Sequence, residues 1–388
     1  MKTLLIHNFY QHFGGEDAAA LADKDLLESQ NEEVIFYTRD NSDIRDFTLV
    51  DKLLFPLQVI YSGRTERDIE KIVKEKRPDI AFIHNFFPLI SPSVYHVLHS
   101  LHVPIVQVIH DFRFFCPNGW FFTQGEVCER CKGGNYLNAI RYRCYRDSYL
   151  SSALVASSIG LNRLSGMLEK ISAFVCLTNF LKEKLMEAGI PEAKIFIRPN
   201  FMNASPVAPI YGKGKYALYL GRISPEKGMW TLVRAFQRLK GIRLKIAGTG
   251  PIEADLGEYL KTNALENIEL VGFVKGEDKC KLLADSLFVV LPSECYETFG
   301  IVVLEAFAAG KPVVASNIGS LPYVIEDGKS GVLFEPGNVE DLIEKVNHLV
   351  ANPSDIAAMG LHARGLAETK YSPDRSYETL LDIAAKVQ

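Results

Sequence analysis

Seven residues separate Glu297 from Glu305 in a run that starts Pro292-Ser293-Glu294-Cys295-Tyr296-Glu297 and continues through Thr298-Phe299-Gly300 to Glu305-Ala306. The apolar residues 288–291 just before it read as a strand, and apolar residues at helical spacing begin near Gly300 and carry Glu305 in the early turns. Ligands of open α/β sheets bind beyond the carboxyl ends of the strands, so both carboxylates fall where a ligand would sit. A helix N-terminus aims N–H groups and partial positive charge at the same place, which suits a diphosphate. A carboxylate can accept hydrogen bonds from two vicinal hydroxyls, the pattern that a sugar or a ribose presents. Two glutamates alone would read as a loop charge and a helix-start charge. The strand–loop–helix setting favours a binding role.

A second pattern, Gly221-Arg222-Ile223-Ser224-Pro225-Glu226-Lys227-Gly228, lies between a strand and a helix. Arginine supplies a planar bidentate fork and lysine a mobile point charge, together a clamp for a diphosphate. Taken alone, the pattern also reads as an exposed turn. The first loop, His12-Phe13-Gly14-Gly15-Glu16-Asp17, has two glycines that permit close backbone approach and acids suited to a helix start. It is not a G-x-G-x-x-G dinucleotide fingerprint. Glu16 reads equally as a contact for a second substrate and as a helix-start charge. His110-Asp111 ends the strand predicted at residues 105–109, a position that raises the odds for a working histidine. Asp23-Lys24-Asp25 falls inside the first helix, where alternate residues do not share a face, and reads as solvated charge rather than a metal-binding D-x-D.

These loops need strands and helices to hold them, and the chain alternates the two from end to end. Strands are predicted at residues 3–7, 34–37, 80–84 and 105–109, then at 217–220, 244–247, 268–271, 288–291, 313–315 and 332–334. Helical spacing appears at 18–29, 91–100, 229–239, 301–309 and 339–350. The alternation predicts parallel sheets built from βαβ units. A chain of 388 residues is long for one core and comfortable for two. The change of domain is predicted near Pro199-Asn200, with a linker through Pro206, Pro209 and Gly212-Lys213-Gly214. Ser372-Pro373-Asp374 reads as the capped start of a last helix.

Hydrophobic residues make up 47% and charged residues 23%, an ordinary globular balance, and the net charge of -4 gives no basic field for nucleic acid. The most apolar runs, such as residues 81–90, are too short for a membrane span, and the start reads as a strand rather than a secretory signal. A cytoplasmic location is therefore expected. Of seven cysteines, four crowd into one segment with the spacing C-x11-C-x2-C-x12-C: Cys116, Cys128, Cys131 and Cys144. This fits a tetrahedral structural zinc, and equally free thiols in a loop. Cys176, Cys280 and Cys295 are scattered and read as small core hydrophobes. Between Arg130 and Lys170 basic residues outnumber acidic ones, tyrosines interleave, and residues 153–159 are apolar. That suits peripheral contact with an anionic membrane, and also an ordinary solvated helix face.

The paired glutamates, with Gly300 between them and Pro292-Ser293 ahead, resemble the retaining GT-B glycosyltransferases of family 4. One departure is Thr298, where that family often has Gly or Pro. The resemblance implies an α/β fold of two Rossmann-like parallel-sheet domains facing a cleft. Residues 1–200 would be the acceptor side and 201–371 the nucleotide-sugar donor side, with residues 372–388 packing back on the first domain. It implies that Glu297 holds donor-sugar hydroxyls, Glu305 the ribose, and Arg222 and Lys227 the diphosphate. Gly14 and Gly15 would face the donor phosphates and His110 the donor sugar. Gly248, Gly250, Val274, Thr298, Phe299 and Gly300 would complete the donor pocket, and Glu16 is the acceptor candidate. The expected reaction moves a hexose, glucose from UDP-glucose first, to a glycan or lipid-linked acceptor in extracellular polysaccharide or cell-envelope synthesis. It would run with retention on the inner face of the cytoplasmic membrane. Catalytic roles fall to Glu297, His110, Arg222 and Lys227, with no cofactor required because the positive groups replace a metal. The rivals are an epimerase or phosphorylase of the same architecture and a non-catalytic nucleotide-sugar sensor.

Overall fold

The computed structural model describes residues 1–204 and 209–387. Pro206 of the expected linker lies outside the described residues. The chain divides into two compact units. One comprises Met1–Thr123, Cys128–Pro199 and Ser376–Gln388, and the other Gln124–Val127 and Asn200–Arg375.

The first unit is built on six parallel strands: Lys2–Phe9, Glu33–Asp40, Ile80–Asn85, Ile105–Ile109, Ala173–Cys176 and Ile195–Ile197. In space they run second, first, third, fourth, fifth, sixth. The central strands are nearly continuous apolar runs because helices cover both faces of a parallel sheet. Leu4, Leu5, Ile6, Phe82, Val106 and Phe174 are accordingly buried. The last two strands were not among those predicted, being only four and three residues long. The helix Pro373–Val387 starts as expected, with the Ser372 hydroxyl accepting from the Arg375 N–H at 3.3 Å.

The second unit has six parallel strands as well: Tyr216–Leu220, Leu244–Ala247, Ile268–Gly272, Ser286–Leu291, Val313–Ser316 and Gly331–Phe334. Their spatial order is third, second, first, fourth, fifth, sixth, the Rossmann order. Leu232 and Phe236 of the helix Met229–Arg238 are buried in a core with Ile246, Phe288 and Val346. The helix Val339–Ala351 starts where Asn338 accepts from the N–H groups of Glu340 and Asp341. Strand order reverses between the strands Tyr216–Leu220 and Ser286–Leu291, and in the first unit between Lys2–Phe9 and Ile80–Asn85. Such switch points open the crevices in which doubly wound sheets take ligands.

Candidate functional site

In the second unit, both strands that flank the switch point deliver charged side chains from their carboxyl ends. Arg222 and Lys227 follow one, and Glu297 follows the other. Lys227 Nζ donates to Glu297 Oε1 at 2.6 Å, and Ser293 Oγ donates to the same oxygen at 2.5 Å. Burial pulls the Lys227 ammonium pKa down, but Glu297 outweighs it and the net shift is upward. Burial likewise pushes the Glu297 carboxyl up, while Lys227 and Ser293 hold it below the ordinary range. Both therefore stay charged at neutral pH. Arg222 pairs with Glu226, which also accepts from Ser224 Oγ at 2.6 Å.

Backbone packing fixes this clamp. Gly228 has φ +70° and caps the helix Met229–Arg238, and a Cβ there would lie 1.7 Å from the Pro292 carbonyl oxygen. Only glycine lets the Lys227 loop rest against the strand end that carries Glu297. Gly248 sits as tightly, since a Cβ would reach 1.8 Å from the Gly221 carbonyl oxygen. Gly250 abuts Ile223 in the same way, so these glycines join the 248–250 loop to the Arg222 loop.

Glu305 lies in the first turns of the helix Ile301–Ala308, whose N-cap is Gly300, and accepts from Lys279 Nζ at 2.6 Å. Val274 and Thr298 are half-buried at the ends of their loops. The Phe299 side chain is buried, its ring edge-on to Tyr371 with centroids 5.9 Å apart. Sequence reasoning missed Glu226, Ser293 and Lys279. Ser293 stood inside the quoted motif, and its position four residues before Glu297 was the available signal.

In the first unit Gly14 is the N-cap of the helix Gly15–Ser29 and donates to Asp17 Oδ2 at 2.8 Å. Asp17, fully buried, also accepts from His7 Nε2 at 2.8 Å and from the Tyr10 N–H at 3.2 Å. Glu16 accepts from the Tyr10 hydroxyl at 2.7 Å. Burial, then the neighbouring Asp111, raises the Glu16 carboxyl pKa well above its ordinary value. Glu16 thus belongs to a polar cluster with Asp111 and Arg113, not merely to a helix start.

His110 Nε2 hydrogen-bonds His84 Nδ1 at 2.9 Å, and the two rings stack with centroids 5.1 Å apart. His84 Nε2 stands 3.2 Å from Asp23 Oδ2. Burial, then His84, drives the His110 pKa far down, so its imidazole is neutral at physiological pH. Asp23 is not solvated charge. It is 2% exposed and takes a two-pronged contact from Arg198, whose Nη1 lies 2.8 Å from Oδ2. Burial pushes its carboxyl up, and Arg198 with its hydrogen bonds outweighs this and leaves it ionised. Arg198 Nε also donates to the Ser376 carbonyl at 3.1 Å.

Cys116, Cys128, Cys131 and Cys144 line one cavity of ≈ 10 Å³. Burial pushes the Cys116 thiol up to about 11 and Cys131 to about 12. Among the described residues, no three His, Cys, Asp or Glu side chains are already gathered as a metal site. Of the scattered cysteines, Cys176 and Cys295 are buried and Cys280 is half-buried.

The apolar run 153–159 is not an exposed face, because Val155, Ala156 and Ile159 are buried. The exposed apolar side chains lie elsewhere. The helix Leu49–Ile60, not predicted, exposes Leu49, Val50, Leu53 and Leu57. It lies beside the helix Tyr149–Leu164, with Ser158 Oγ donating to the Val59 carbonyl at 2.8 Å, and that helix exposes Leu150, Leu161 and Leu164. Among the described residues no helix is long and apolar enough to cross a membrane.

Two Rossmann-like parallel-sheet domains are the fold of the GT-B class. Residues 25–205 match the family "Glycosyltransferase Family 4" and residues 201–365 match "Glycosyl transferases group 1". Glycogen synthase of Mycobacterium tuberculosis is 35% identical over 321 residues, 80% of this chain and 68% of that protein. The chain therefore belongs to the family 4, group 1 glycosyltransferases. Sulfoquinovosyl transferase of Arabidopsis thaliana is 34% identical over 171 residues, 43% of this chain and 32% of that protein. The chain spans from 32% to 49% of the length of the first curated relatives it matches. Anabaena HepE, solved with UDP, shares the fold with a TM-score of 0.68 at 18% identity, over 99% of this chain and 100% of that one. It has also been solved with UDP-glucose.

Proposed function

We propose that this chain transfers a hexose from a nucleotide-diphosphate sugar, UDP-glucose first, to a glycan or lipid-linked acceptor with retention of configuration. The observation that carries this reading is the Lys227–Glu297 pair beside Arg222 at the switch point of the second unit. Arg222 and Lys227 would clamp the diphosphate, and Glu297, released from Lys227, would hold sugar hydroxyls. Glu305 in the helix start would take the ribose hydroxyls. In the structure its carboxylate accepts from Lys279 Nζ at 2.6 Å. HepE, bound to UDP and to UDP-glucose, supports the choice of donor.

The bond between the sugar anomeric carbon and the diphosphate oxygen breaks while the acceptor oxygen bonds the same carbon from the same face. The acceptor proton passes to the departing diphosphate. Arg222, Lys227 and the N-terminus of the helix Ile301–Ala308 stabilise the charge that develops there, and no metal is needed. His110, kept neutral, would bond a donor-sugar hydroxyl, and Glu16 would bond the acceptor. The exposed leucines of the helices Leu49–Ile60 and Tyr149–Leu164, with Arg141, Arg143 and Arg146 nearby in sequence, support peripheral contact with an anionic membrane. That fits extracellular polysaccharide or cell-envelope glycan synthesis at the inner face of the cytoplasmic membrane.

A panel of nucleotide sugars tests the reading through thermal shift, donor hydrolysis and the anomeric configuration of the product. A UDP-hexose should give the largest shift and slow hydrolysis. Donor binding without turnover on any acceptor would make the chain a sensor. An epimerised donor or phosphate-dependent cleavage would also overturn the proposal.

A further inference from the structure

The four clustered cysteines lie in a stretch of the first unit that holds few regular elements. The one helix between Cys116 and Cys144, Leu137–Arg141, is five residues long. Ten non-glycine residues among those described have positive φ, and five of them, Phe121, Gln124, Arg143, Arg146 and Asp147, fall between residues 121 and 147. Such conformations are strained for residues with a Cβ and persist only where the surroundings over-determine them. Of the apolar side chains between Cys116 and Cys144, Phe121, Tyr136 and Ala139 are buried, while Trp120 and Leu137 are exposed.

The turns themselves are built around sulfur. Cys116-Pro117-Asn118-Gly119 closes with Gly119 N–H donating to the Cys116 carbonyl at 2.8 Å, and Gly119 has φ +82°. Cys131-Lys132-Gly133-Gly134 repeats the device, with Gly134 N–H to the Cys131 carbonyl at 2.9 Å and φ +93°. A left-handed glycine three residues after the cysteine curls the intervening amides back toward the side chain. The Cys116 thiol donates to Asn118 Oδ1 at 3.0 Å, and Arg130 Nη1 stands 3.6 Å from the Cys128 sulfur. The Cys128 N–H donates to the Phe121 carbonyl at 2.7 Å, and the Cys144 N–H to the Ala139 carbonyl at 3.0 Å, which draws the four cysteines around one cavity.

We propose that Cys116, Cys128, Cys131 and Cys144 bind one zinc ion that holds this segment folded. Four thiolates with no open position are a structural donor set, and the order of affinities for soft sulfur favours zinc over magnesium or calcium. Zinc–sulfur bonds of about 2.3 Å put tetrahedral sulfurs about 3.8 Å apart. No three of these residues are gathered as a metal site as they stand, so the ion draws the side chains inward by rotation about their Cα–Cβ bonds. Each thiol that binds gives up its proton to solvent. The site goes beyond the glycosyltransferase reading and does not depend on it.

The test uses the full chain purified without chelator and needs no turnover assay. Elemental analysis should find one zinc per chain, with no iron and no acid-labile sulfide. Four of the seven thiols should react with a thiol reagent only after a chelator is added. Cobalt(II) in place of zinc should give the intense near-ultraviolet charge-transfer band of a tetrathiolate. Chelation should raise the rate of proteolysis between Cys116 and Cys144 by at least about tenfold, because local folding is coupled to the ion. Cys128→Ser should lose the zinc, and Cys280→Ser should keep it. If Cys128→Ser does not fold, the wild-type metal count and cobalt spectrum decide. Any of three results overturns the proposal: no zinc bound after incubation with zinc salt, two disulfides joining the four cysteines, or an iron–sulfur cluster in their place.

Discussion

The Lys227–Glu297 pair makes a quantitative prediction in which stability and activity part company. The two side chains are 26% and 15% exposed, so neither charge is fully solvated and neither is deeply buried. Unit charges about 4 Å apart attract by about 4 kcal/mol at an effective dielectric constant near 20, and desolvation offsets a good part of that. Lys227→Met leaves the more buried Glu297 carboxylate without its cation and with the Ser293 hydroxyl still donating to it, which should cost roughly 3 kcal/mol. Glu297→Gln leaves a more exposed lysine beside a neutral acceptor, at roughly 1.5 kcal/mol. The double variant should cost about 2.5 kcal/mol, less than the two singles together, for a coupling of about 2 kcal/mol.

Urea denaturation of the four proteins at pH 7 measures the cycle. Glu297 has a depressed pKa, so its contribution is present above the unfolded value near 4.3 and is lost as pH falls through the folded one. Lys227 has a raised pKa, so its contribution is complete below the unfolded value near 10.4 and is lost as pH rises through the folded one. The coupling should therefore be flat from about pH 5 to 10 and fade on either side. Turnover should fall in all three variants, with no recovery in the double. Additivity within about 0.5 kcal/mol at pH 7 would show that the pair is not coupled and would refute the account of the clamp.

Arg222→Ala should lower donor turnover by about ten- to a hundredfold, the worth of one charge-assisted contact, with little change in melting temperature because its side chain is 43% exposed. Steady-state kinetics beside a melting curve would check this, and wild-type kinetics would remove Arg222 from the clamp. Activity should persist in excess EDTA through a short assay. Prompt loss restored by magnesium or manganese would mean that a divalent cation neutralises the leaving group. Leu53→Glu with Leu57→Glu should abolish co-sedimentation with anionic vesicles and leave UDP binding intact, since both leucines are mostly exposed. Unchanged sedimentation would exclude that face.

Much of the fold was legible because buried parallel strands are short apolar runs, and the strand at residues 105–109 was read to its ends. The strands Ala173–Cys176 and Ile195–Ile197 were too short to stand out. The helix Leu49–Ile60 was missed because its leucines lie on the exposed side, against the rule by which apolar periodicity marks a buried face. Single residues of the candidate site could be picked from their loops, but their partners could not. Lys227 and Glu297 are 70 residues apart, and Asp23 meets Arg198 across 175. A residue's own neighbours in sequence made Asp23 look solvated, and only tertiary structure supplies the cation that lets it be buried.

The contact between Arg198 and Ser376 has a consequence for how the chain is made. The first unit is discontinuous: its sheet is complete by Ile197, yet Ser376 and the rest of its last helix follow the whole second unit. Arg198 Nε donates to the Ser376 carbonyl, and the Tyr377 hydroxyl reaches back to Glu32 at 2.7 Å. Domains tend to fold as they leave the ribosome, N-terminal first. Here the order is bent. The earlier-made sheet must wait, with part of its surface uncovered, while nearly two hundred further residues emerge and the continuous second unit closes on itself. During synthesis the first unit is therefore the stretch that most needs a chaperone's shelter, although it leaves the tunnel first.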